Sequence, residues 1–278
     1  GLLAEQHPTG GSRVTSLAFS PDDTRLVYGT DARLAECIDL ELQETRTIVG
    51  SFTGGVASFD FLPDGRKMLA CGGITPQVVF MPGENSMLGL AQHRMNVVGG
   101  ALLGPFKAIT VSYDGAVKLW DAKKVPAMGG HGGFTSWCFG TTYSHDGSLM
   151  AIGAGDGVTA VVDTANRKRK YTLTIADRKR TRAVRFVPKS DLLMTGSEDG
   201  VVRFYSMTSG ELVDSCQDGP HEIFSIALHP NGKVFATAHG DRSVKIWDLA
   251  LGRIVRVLAH PETVVSLQFN ANGSRLIT

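Results

Sequence analysis

Residues 229–260, HPNGKVFATAHGDRSVKIWDLALGRIVRVLAH, are the stretch that decides the fold. The Pro-Asn-Gly at 230–232 predicts a tight turn, because proline fixes φ and Asn-Gly accepts the positive φ values that a reversal requires. Strands are predicted at 234–237, 243–247 and 253–258, from short runs of β-formers and from period-two alternation. The stretch therefore predicts three strands with their turns, of which the last is the outer and wetter one.

The same pattern recurs along the chain with a period near 42 residues. The turn after the first strand of each unit falls at Pro21, Pro63, Pro105, His145, Pro188, Pro230 and Ala271. Because seven units at this spacing are hard to obtain by chance, the chain is predicted to be one repeat architecture rather than two ordinary domains.

We expect a single domain over residues 1–278, with approximate units 12–50, 51–91, 92–130, 131–175, 176–217, 218–259 and 260–278. Residues 1–8 resemble an outer strand and are expected to close the last unit, which would remove exposed sheet edges. The sequence stops inside the second strand of that unit. Its C-terminal strand is therefore missing, and the repeat length predicts roughly 15 to 20 further residues in the native protein.

Four units carry an acidic turn before the third strand. The aspartates are Asp114, Asp156, Asp199 and Asp241, and each stands six residues before a strand end at Trp120, Val162, Tyr205 and Trp247. Units one and two have Ala32 and Thr75 at that offset instead. We expect these two units to be the least regular.

Units of about 42 residues, two of them ending in Trp120-Asp121 and Trp247-Asp248, resemble the WD repeats of β-propellers. The resemblance implies an all-β, seven-bladed WD-repeat β-propeller with four-stranded antiparallel blades. It also implies a structural set of histidine, hydroxyl, turn aspartate and tryptophan. Candidates for that set are Asp114, Trp120, Asp156, Asp199, Asp241, Trp247 and His260, whereas His93, His131 and His221 lie one to three residues from the expected histidine position.

The composition argues against several classes of function. The net charge of +1 gives no global attraction to nucleic acid or anionic membrane, and no apolar run approaches a membrane span. The sequence has no HExxH, no GxSxG and no P-loop lysine, so we expect neither catalysis nor a metal, cofactor or small-molecule substrate. Cys37, Cys71, Cys138 and Cys216 form no CxxC pair and are expected to be reduced core thiols of a cytoplasmic or nuclear protein.

Two basic runs lie close together in the sequence, at 167–170 and 178–182. They offer Arg167, Lys168, Arg169, Lys170, Arg178, Lys179 and Arg180 as possible contacts to phosphate or to an acidic peptide. Binding of RNA through 167–182 is a hypothesis that rests on these runs alone. The alternative is a solvated outer strand, whose like charges guard a sheet edge.

Partner surfaces of propellers form where the loops leading into the first strands meet at one end of the channel. At that position three consecutive units carry the large residues Phe139, Arg182 and Phe224, and Trp137 lies just upstream. Exposed aromatic and arginine side chains are the usual anchors of protein interfaces. Either these residues line a partner-binding surface, or Trp137 and Phe139 belong to the core.

The resemblance implies a non-catalytic scaffold that binds other proteins of a larger complex. Units four to seven are similar in order and spacing to the small propeller subunit of the superkiller complex, through stretches such as YSHDGSLMAIGAGDGVTAVVD and FNANGSRLIT. That likeness implies a role in 3′-to-5′ mRNA decay by the cytoplasmic exosome, with a helicase and a helical-repeat protein as partners. The alternatives are a reader of a short peptide or modified tail in another assembly, and a propeller that contacts RNA.

Overall fold

The computed structural model describes residues 12–42, 45–50, 52–81, 87–90, 93–104, 107–121, 124–131, 136–166 and 168–278. Within these ranges the regular structure is almost entirely β-strand, with one 3-10 turn at Ala176–Arg178. The prediction of an all-β protein is confirmed. The predicted closing strand at residues 1–8 lies outside the described residues, as does Arg167.

Six four-stranded antiparallel sheets and one two-stranded sheet make up the described part of the chain. Sheet 1 contains β1 (Val14–Phe19), β2 (Arg25–Thr30), β3 (Leu34–Asp39) and β4 (Thr45–Gly50). Sheet 2 contains β5 (Val56–Phe61), β6 (Lys67–Gly72), β7 (Gln77–Phe80) and β8 (Met87–Gly89). Sheet 3 contains β9 (Val97–Leu102), β10 (Lys107–Ser112), β11 (Val117–Asp121) and β12 (Lys124–His131). Sheet 4 contains β13 (Cys138–Tyr143), β14 (Leu149–Ala154), β15 (Val158–Asp163) and β16 (Arg169–Thr174). Sheet 5 contains β17 (Thr181–Phe186), β18 (Leu192–Ser197), β19 (Val201–Ser206) and β20 (Leu212–Gln217). Sheet 6 contains β21 (Ile223–Leu228), β22 (Val234–His239), β23 (Ser243–Asp248) and β24 (Arg253–Ala259). Sheet 7, the two-stranded sheet, contains β25 (Gln268–Phe269) and β26 (Leu276–Ile277).

The first strand of each sheet contacts the first strand of the next sheet, and β25 contacts both β21 and β1. The last sheet is therefore joined to the first. Phe19 N donates to Gln268 Oε1 at 3.1 Å, and Ala271 N donates to Asp23 Oδ1 at 2.8 Å. Apolar side chains are buried between neighbouring sheets, as in the cluster of Phe235, Trp247 and their neighbours, because each sheet is apolar on both faces.

The expectation that units one and two are the least regular holds for one of them. Sheet 2 has short third and fourth strands of four and three residues, whereas all four strands of sheet 1 have six residues. In sheet 1 the buried Tyr28 hydroxyl donates to Glu36 Oε2 at 2.6 Å. The turn of sheet 1 also carries an aspartate one residue before Ala32, and Asp31 Oδ1 accepts from Arg13 N at 3.1 Å, so this turn forms without an aspartate at position 32 itself.

Candidate partner-binding surface

A β-bulge near the start of the first strand fixes the geometry of the surface. The register between the first and second strands skips one residue in sheets 4, 5 and 6. The skipped residues are Phe139, Arg182 and Phe224. Because a bulge interrupts the strict alternation of side chains and re-aims the extra residue, these three side chains turn toward the mouth of the central cavity, which all three line.

Arg182 lies between two aromatic rings. Its guanidinium carbon is 5.0 Å from the ring centre of Phe139 and 5.0 Å from that of Phe224, the distance of a cation–π contact. Its Nε pairs with Glu222 Oε1. Three of the four residues predicted to bind a partner are therefore contiguous across sheets 4 to 6, with the fourth, Trp137, beside them.

Tyr113 extends this group of rings into sheet 3. Its ring centre is 5.6 Å from that of Trp137 and 5.9 Å from that of Phe139, and burial raises the pKa of its hydroxyl while Arg182 opposes the shift. We call Tyr113, Trp137, Phe139, Arg182 and Phe224 the aromatic–arginine cluster. Trp137 is 52% exposed, so of the two alternatives raised for it the structure places it at the surface, whereas the Phe139 ring is packed between Tyr113 and Arg182.

Tyr113 was missed by the reasoning from sequence. Its position in the sequence, directly before the Asp114-Gly115 turn, could have identified it. Turns between second and third strands lie at the same end of the molecule as the loops leading into the first strands. Only the packing of sheet 3 against sheet 4 brings it to Trp137.

The turn at Gly155–Gly157 lies beside the cluster and has almost no side chains. A Cβ at Gly155 would meet Phe139 Cε2 at 3.0 Å, and a Cβ at Gly157 would meet the Arg178 Cα at 2.6 Å. Gly155 N also donates to the Trp137 carbonyl at 2.7 Å. The turn is therefore bounded by Trp137 and Phe139 on one side and by the loop at 176–180 on the other.

The structure separates the two basic runs. Lys168, Arg169 and Lys170 lie at the start of β16, whereas Arg178, Lys179 and Arg180 lie in the loop beyond its end. At about 3.3 Å per residue, the strand alone puts about 16 Å between them. Lys170 Nζ also donates to the Met207 carbonyl at 3.2 Å. The runs therefore do not form one continuous patch, and binding of RNA or an acidic group by either run stays a prediction.

Sheet 3 contains a complete buried hydrogen-bonded set. Trp120 Nε1 donates to Thr110 Oγ1 at 2.7 Å, and Thr110 Oγ1 lies 2.8 Å from His93 Nε2. His93 Nδ1 lies 3.1 Å from Asp114 Oδ2, so this nitrogen carries the hydrogen. The spacing measured from Pro105 displaced His93 by one residue, because strand pairing aligns Gly104, the residue before Pro105 in the sequence, with Pro230 of sheet 6.

Sheet 6 builds a similar set from a different histidine. Trp247 Nε1 donates to Thr237 Oγ1 at 2.7 Å, and Thr237 Oγ1 lies 2.7 Å from Nε2 of the fully buried His239. His239 comes from the end of β22. His221, the histidine nearest the expected position, is half exposed, and its Nε2 is 3.9 Å from Asp241 Oδ2. Burial, followed by the nearby Lys245 charge, lowers the pKa of His239 to about 4.

The remaining predicted structural residues have other partners. Asp199 pairs with Arg203 Nη2 at 2.6 Å, and Asp156 Oδ1 accepts from Val158 N at 3.2 Å. His260 Nε2 lies 2.9 Å from Thr278 Oγ1. Thr278 has the same strand register as Thr110, so the histidine–hydroxyl contact of sheet 3 recurs in sheet 7.

The central cavity has a volume of about 1210 Å³ and is lined by the first strands. Asp60 lines it and accepts a hydrogen bond from Leu102 N at 2.7 Å, and burial raises the pKa of Asp60 to about 6. Across the described part of the chain, no group of three or more histidine, cysteine or acidic side chains is arranged to hold a metal ion. No helix in those same ranges is long and apolar enough to span a membrane.

Comparison with protein families places repeat matches along the chain. The family model WD40, described as "WD domain, G-beta repeat", matches residues 3–34, 169–206 and 210–248. The second and third matches together cover all four strands of sheet 5, the first three strands of sheet 6 and β16.

Several curated proteins are similar to parts of the chain. Mitotic checkpoint protein bub-3 of Caenorhabditis elegans is 28% identical over 62% of the chain and 55% of its own length. The DENN domain and WD repeat-containing protein SCD1 of Arabidopsis thaliana is 26% identical over 66% of the chain and 15% of its own length. Eukaryotic translation initiation factor 3 subunit I of Neosartorya fischeri is 29% identical over 34% of the chain and 28% of its own length. The chain thus spans between 15% and 55% of the length of these relatives.

Proposed function

Since the chain carries WD40 repeats, we propose that it is a non-catalytic scaffold that captures a partner protein through the aromatic–arginine cluster. The observation that carries the proposal is the position of Trp137, which leaves 52% of its surface exposed while its ring rests on Tyr113. A rigid, partly exposed aromatic side chain with an arginine nearby is the residue combination that anchors protein interfaces. WD40 proteins in general bind other proteins in complexes.

The scaffold is a closed ring of seven blades in this proposal. Support comes from the seven sheets, whose first strands touch in sequence from β1 to β25, with β25 also touching β1. A closed ring holds the sheets in fixed relative positions, so the cluster, which draws on sheets 3 to 6, is pre-organised for binding.

A reader of methylated lysine is the less favoured form of peptide binding. Such a reader needs an open slot between aromatic rings for a ligand cation. The slot between Phe139 and Phe224 already holds the chain's own Arg182, which Glu222 neutralises. The rings of Tyr113 and Trp137 are in contact rather than separated.

The identity of the complex is a separate proposal. The relatives reported above are named for mitotic checkpoint control and translation initiation, among other roles, and none of those reported is a superkiller subunit. Membership of a superkiller complex and a role in mRNA decay therefore rest on the resemblance in sequence alone, and we do not extend the scaffold proposal to them.

Substitution of Trp137 by alanine tests the scaffold proposal. Tagged wild-type protein, Trp137→Ala and Leu251→Ala would be isolated from the source cells and their bound proteins quantified by mass spectrometry. Leu251 is a matched control, because it is 61% exposed but lies in the turn between β23 and β24, away from the cluster. We expect Trp137→Ala to lose specific partners and Leu251→Ala to keep them. Equal retention of all partners by Trp137→Ala would overturn the proposal.

A further inference from the structure

We propose that the segment captured at the aromatic–arginine cluster is an acidic peptide, whose carboxylates meet Arg178 and Lys179 across the Gly155–Gly157 turn. This inference rests on the proposed function and adds the chemistry of the partner. It follows from the charges that remain unpaired, from the conformation of the loop that carries them, and from their distance to Trp137.

The unpaired charges on this surface are mainly positive. Among the described residues, the carboxylate of Glu222 is engaged by Arg182 and that of Glu198 lies 3.8 Å from Arg180 Nε. Asp156, the middle residue of the turn, accepts a hydrogen bond from Val158 N, and it is partly buried, whereas Arg178 and Lys179 are exposed to solvent. Arg178 and Lys179 are exposed, and no carboxylate in the described part of the chain lies within ion-pair distance of either.

Asp177 is the one carboxylate of the loop itself. It is exposed beside Arg178 and partly offsets the two unpaired cations. The loop therefore keeps a net positive charge toward solvent, which favours a ligand that brings carboxylates.

The loop holds Arg178 in an unusual backbone conformation. Asp177 and Arg178 have φ values of 60° and 50°, so two consecutive residues other than glycine are left-handed. For arginine this region costs about 1 kcal/mol or more. Strained backbone is retained where the surrounding structure requires it, and such residues cluster at binding sites.

The cations are close enough to Trp137 for one peptide to reach both. Gly157 contacts the Arg178 backbone, and Gly155 contacts Phe139 and bonds to the Trp137 carbonyl. Only the three-residue turn, two of whose residues are glycines, lies between them. An extended peptide advances about 3.3 Å per residue, so a carboxylate a few residues from an apolar anchor on Trp137 would reach Arg178.

A single-stranded nucleic acid fits these features less well. Such ligands need a cationic groove along several phosphates and successive rings for stacking. Here the other basic run, at 168–170, lies at the far end of β16, and Trp137 is the one large aromatic side chain that is mostly exposed in the described part of the chain.

Two charge substitutions that keep the loop conformation provide the test. Asparagine tolerates the left-handed region, so Arg178→Asn and Asp177→Asn each change one charge with little change in backbone. Peptides would be selected from a random phage-displayed library on the wild-type protein, and their dissociation constants measured for the variants. Lys168→Asn removes one cation at the far end of β16 and serves as the matched control.

We expect selected peptides to be enriched in Asp and Glu around an aromatic or aliphatic residue. A surface charge pair worth up to about 1 kcal/mol predicts binding about fivefold weaker to Arg178→Asn, about fivefold tighter to Asp177→Asn, and unchanged to Lys168→Asn. Added salt should weaken binding to the wild type.

The contrary outcomes are distinguishable. Some selected peptides could require Trp137 but lack acidic residues, or bind Arg178→Asn as tightly as the wild type. Either result would show that the partner is not an acidic peptide and would leave the proposed function standing. If no selected peptide depends on Trp137, both proposals are wrong. If a labelled oligouridine binds more tightly than the selected peptides and its binding depends on Arg178, the acidic-peptide proposal is wrong and the ligand is a nucleic acid.

Discussion

Thr110 and Thr237 occupy the same register of the second strand in sheets 3 and 6, and each hydroxyl joins a tryptophan to a histidine. The hydroxyl accepts from the indole N–H and donates to the imidazole, so both buried rings are satisfied by one oxygen. Thr195 stands at the same register in sheet 5, where its fully buried hydroxyl has no protein partner in the described part of the chain. One residue type at one position therefore has different energetic roles in different sheets.

Replacement of these threonines by valine should show that difference. Thr110→Val keeps the shape but leaves the Trp120 indole N–H without an acceptor, and we expect a loss of about 2 to 4 kcal/mol in unfolding free energy. Thr195→Val removes a hydroxyl that bonds to no residue in the described part of the chain and should change the stability by less than about 1 kcal/mol. Chemical denaturation of both variants measures this, and equal losses would contradict the assigned role of Thr110.

His239 should make stability depend on pH. Its pKa in the folded state is about 4, below the ordinary value of 6.5, because it is buried and near Lys245. The unfolded chain therefore binds a proton between these pH values that the folded chain does not. The stabilisation is fully present above pH 6.5 and is lost as the pH falls toward 4, by up to about 3 kcal/mol.

Denaturant unfolding of the wild type and of His239→Gln, each measured across that pH range, checks this expectation. The variant lacks the titrating ring, so its unfolding free energy should fall less between pH 7 and pH 4.5. Parallel pH profiles for the two proteins would show that His239 is not the group responsible.

At the scale of elements, the bulge in the first strand and the glycine turn beside it decide what the surface presents. The bulge turns Phe139, Arg182 and Phe224 out of the alternating pattern. The Gly155–Gly157 turn leaves room for the 176–180 loop to approach. Together they set the distance between Trp137 and Arg178.

Two glycine substitutions separate the effect of that close approach from the effect of backbone conformation. Gly147 and Gly157 have φ values of 71° and 75°, but a Cβ at Gly147 meets nothing within 4 Å, whereas at Gly157 it would lie 2.6 Å from the Arg178 Cα. Gly147→Ala should cost about 1 kcal/mol and Gly157→Ala clearly more. Thermal unfolding gives the difference. Similar losses would mean that the loop moves aside easily.

At the scale of the whole molecule, the contact between the first and last sheets joins the two ends of the described part of the chain. Asp23, which is left-handed at φ 58°, accepts hydrogen bonds from Ala271 N at 2.8 Å and from Asn270 Nδ2 at 3.1 Å. These bonds join residues far apart in sequence, so their entropic cost is met only when the intervening sheets have folded.

Removal of the Asp23 side chain should loosen this junction. In Asp23→Gly the backbone keeps an allowed conformation, so a loss of about 1 to 2 kcal/mol would report mainly the missing hydrogen bonds. Hydrogen exchange should become faster in β25 and β26 and stay unchanged in sheet 4. Asp23→Asn, which keeps an acceptor oxygen and tolerates the left-handed conformation, is the control. Unchanged exchange in Asp23→Gly would mean that apolar packing alone holds the two sheets together.

The repeat explains how much could be predicted. Strand type and the position of the turns depend on local alternation and on turn residues, so the sequence predicted them from stretches such as 229–260, whereas the four-stranded antiparallel order was implied by the resemblance to WD repeats. Histidine roles were harder to predict. His93 reaches the Thr110 hydroxyl from the loop before β9, whereas His239 reaches the Thr237 hydroxyl from the same strand, β22, and only the folded sheet determines which imidazole makes the contact.

By itself the sequence determined an all-β chain of repeated sheets with large side chains at the start of three consecutive first strands, because those features depend on spacing along the chain. Tertiary structure alone decided that Tyr113 joins Trp137, that Arg182 is held between two rings, and that the two basic runs lie apart. These outcomes depend on the packing of one sheet against the next and on the length of β16, which place residues close together or far apart regardless of their separation in sequence.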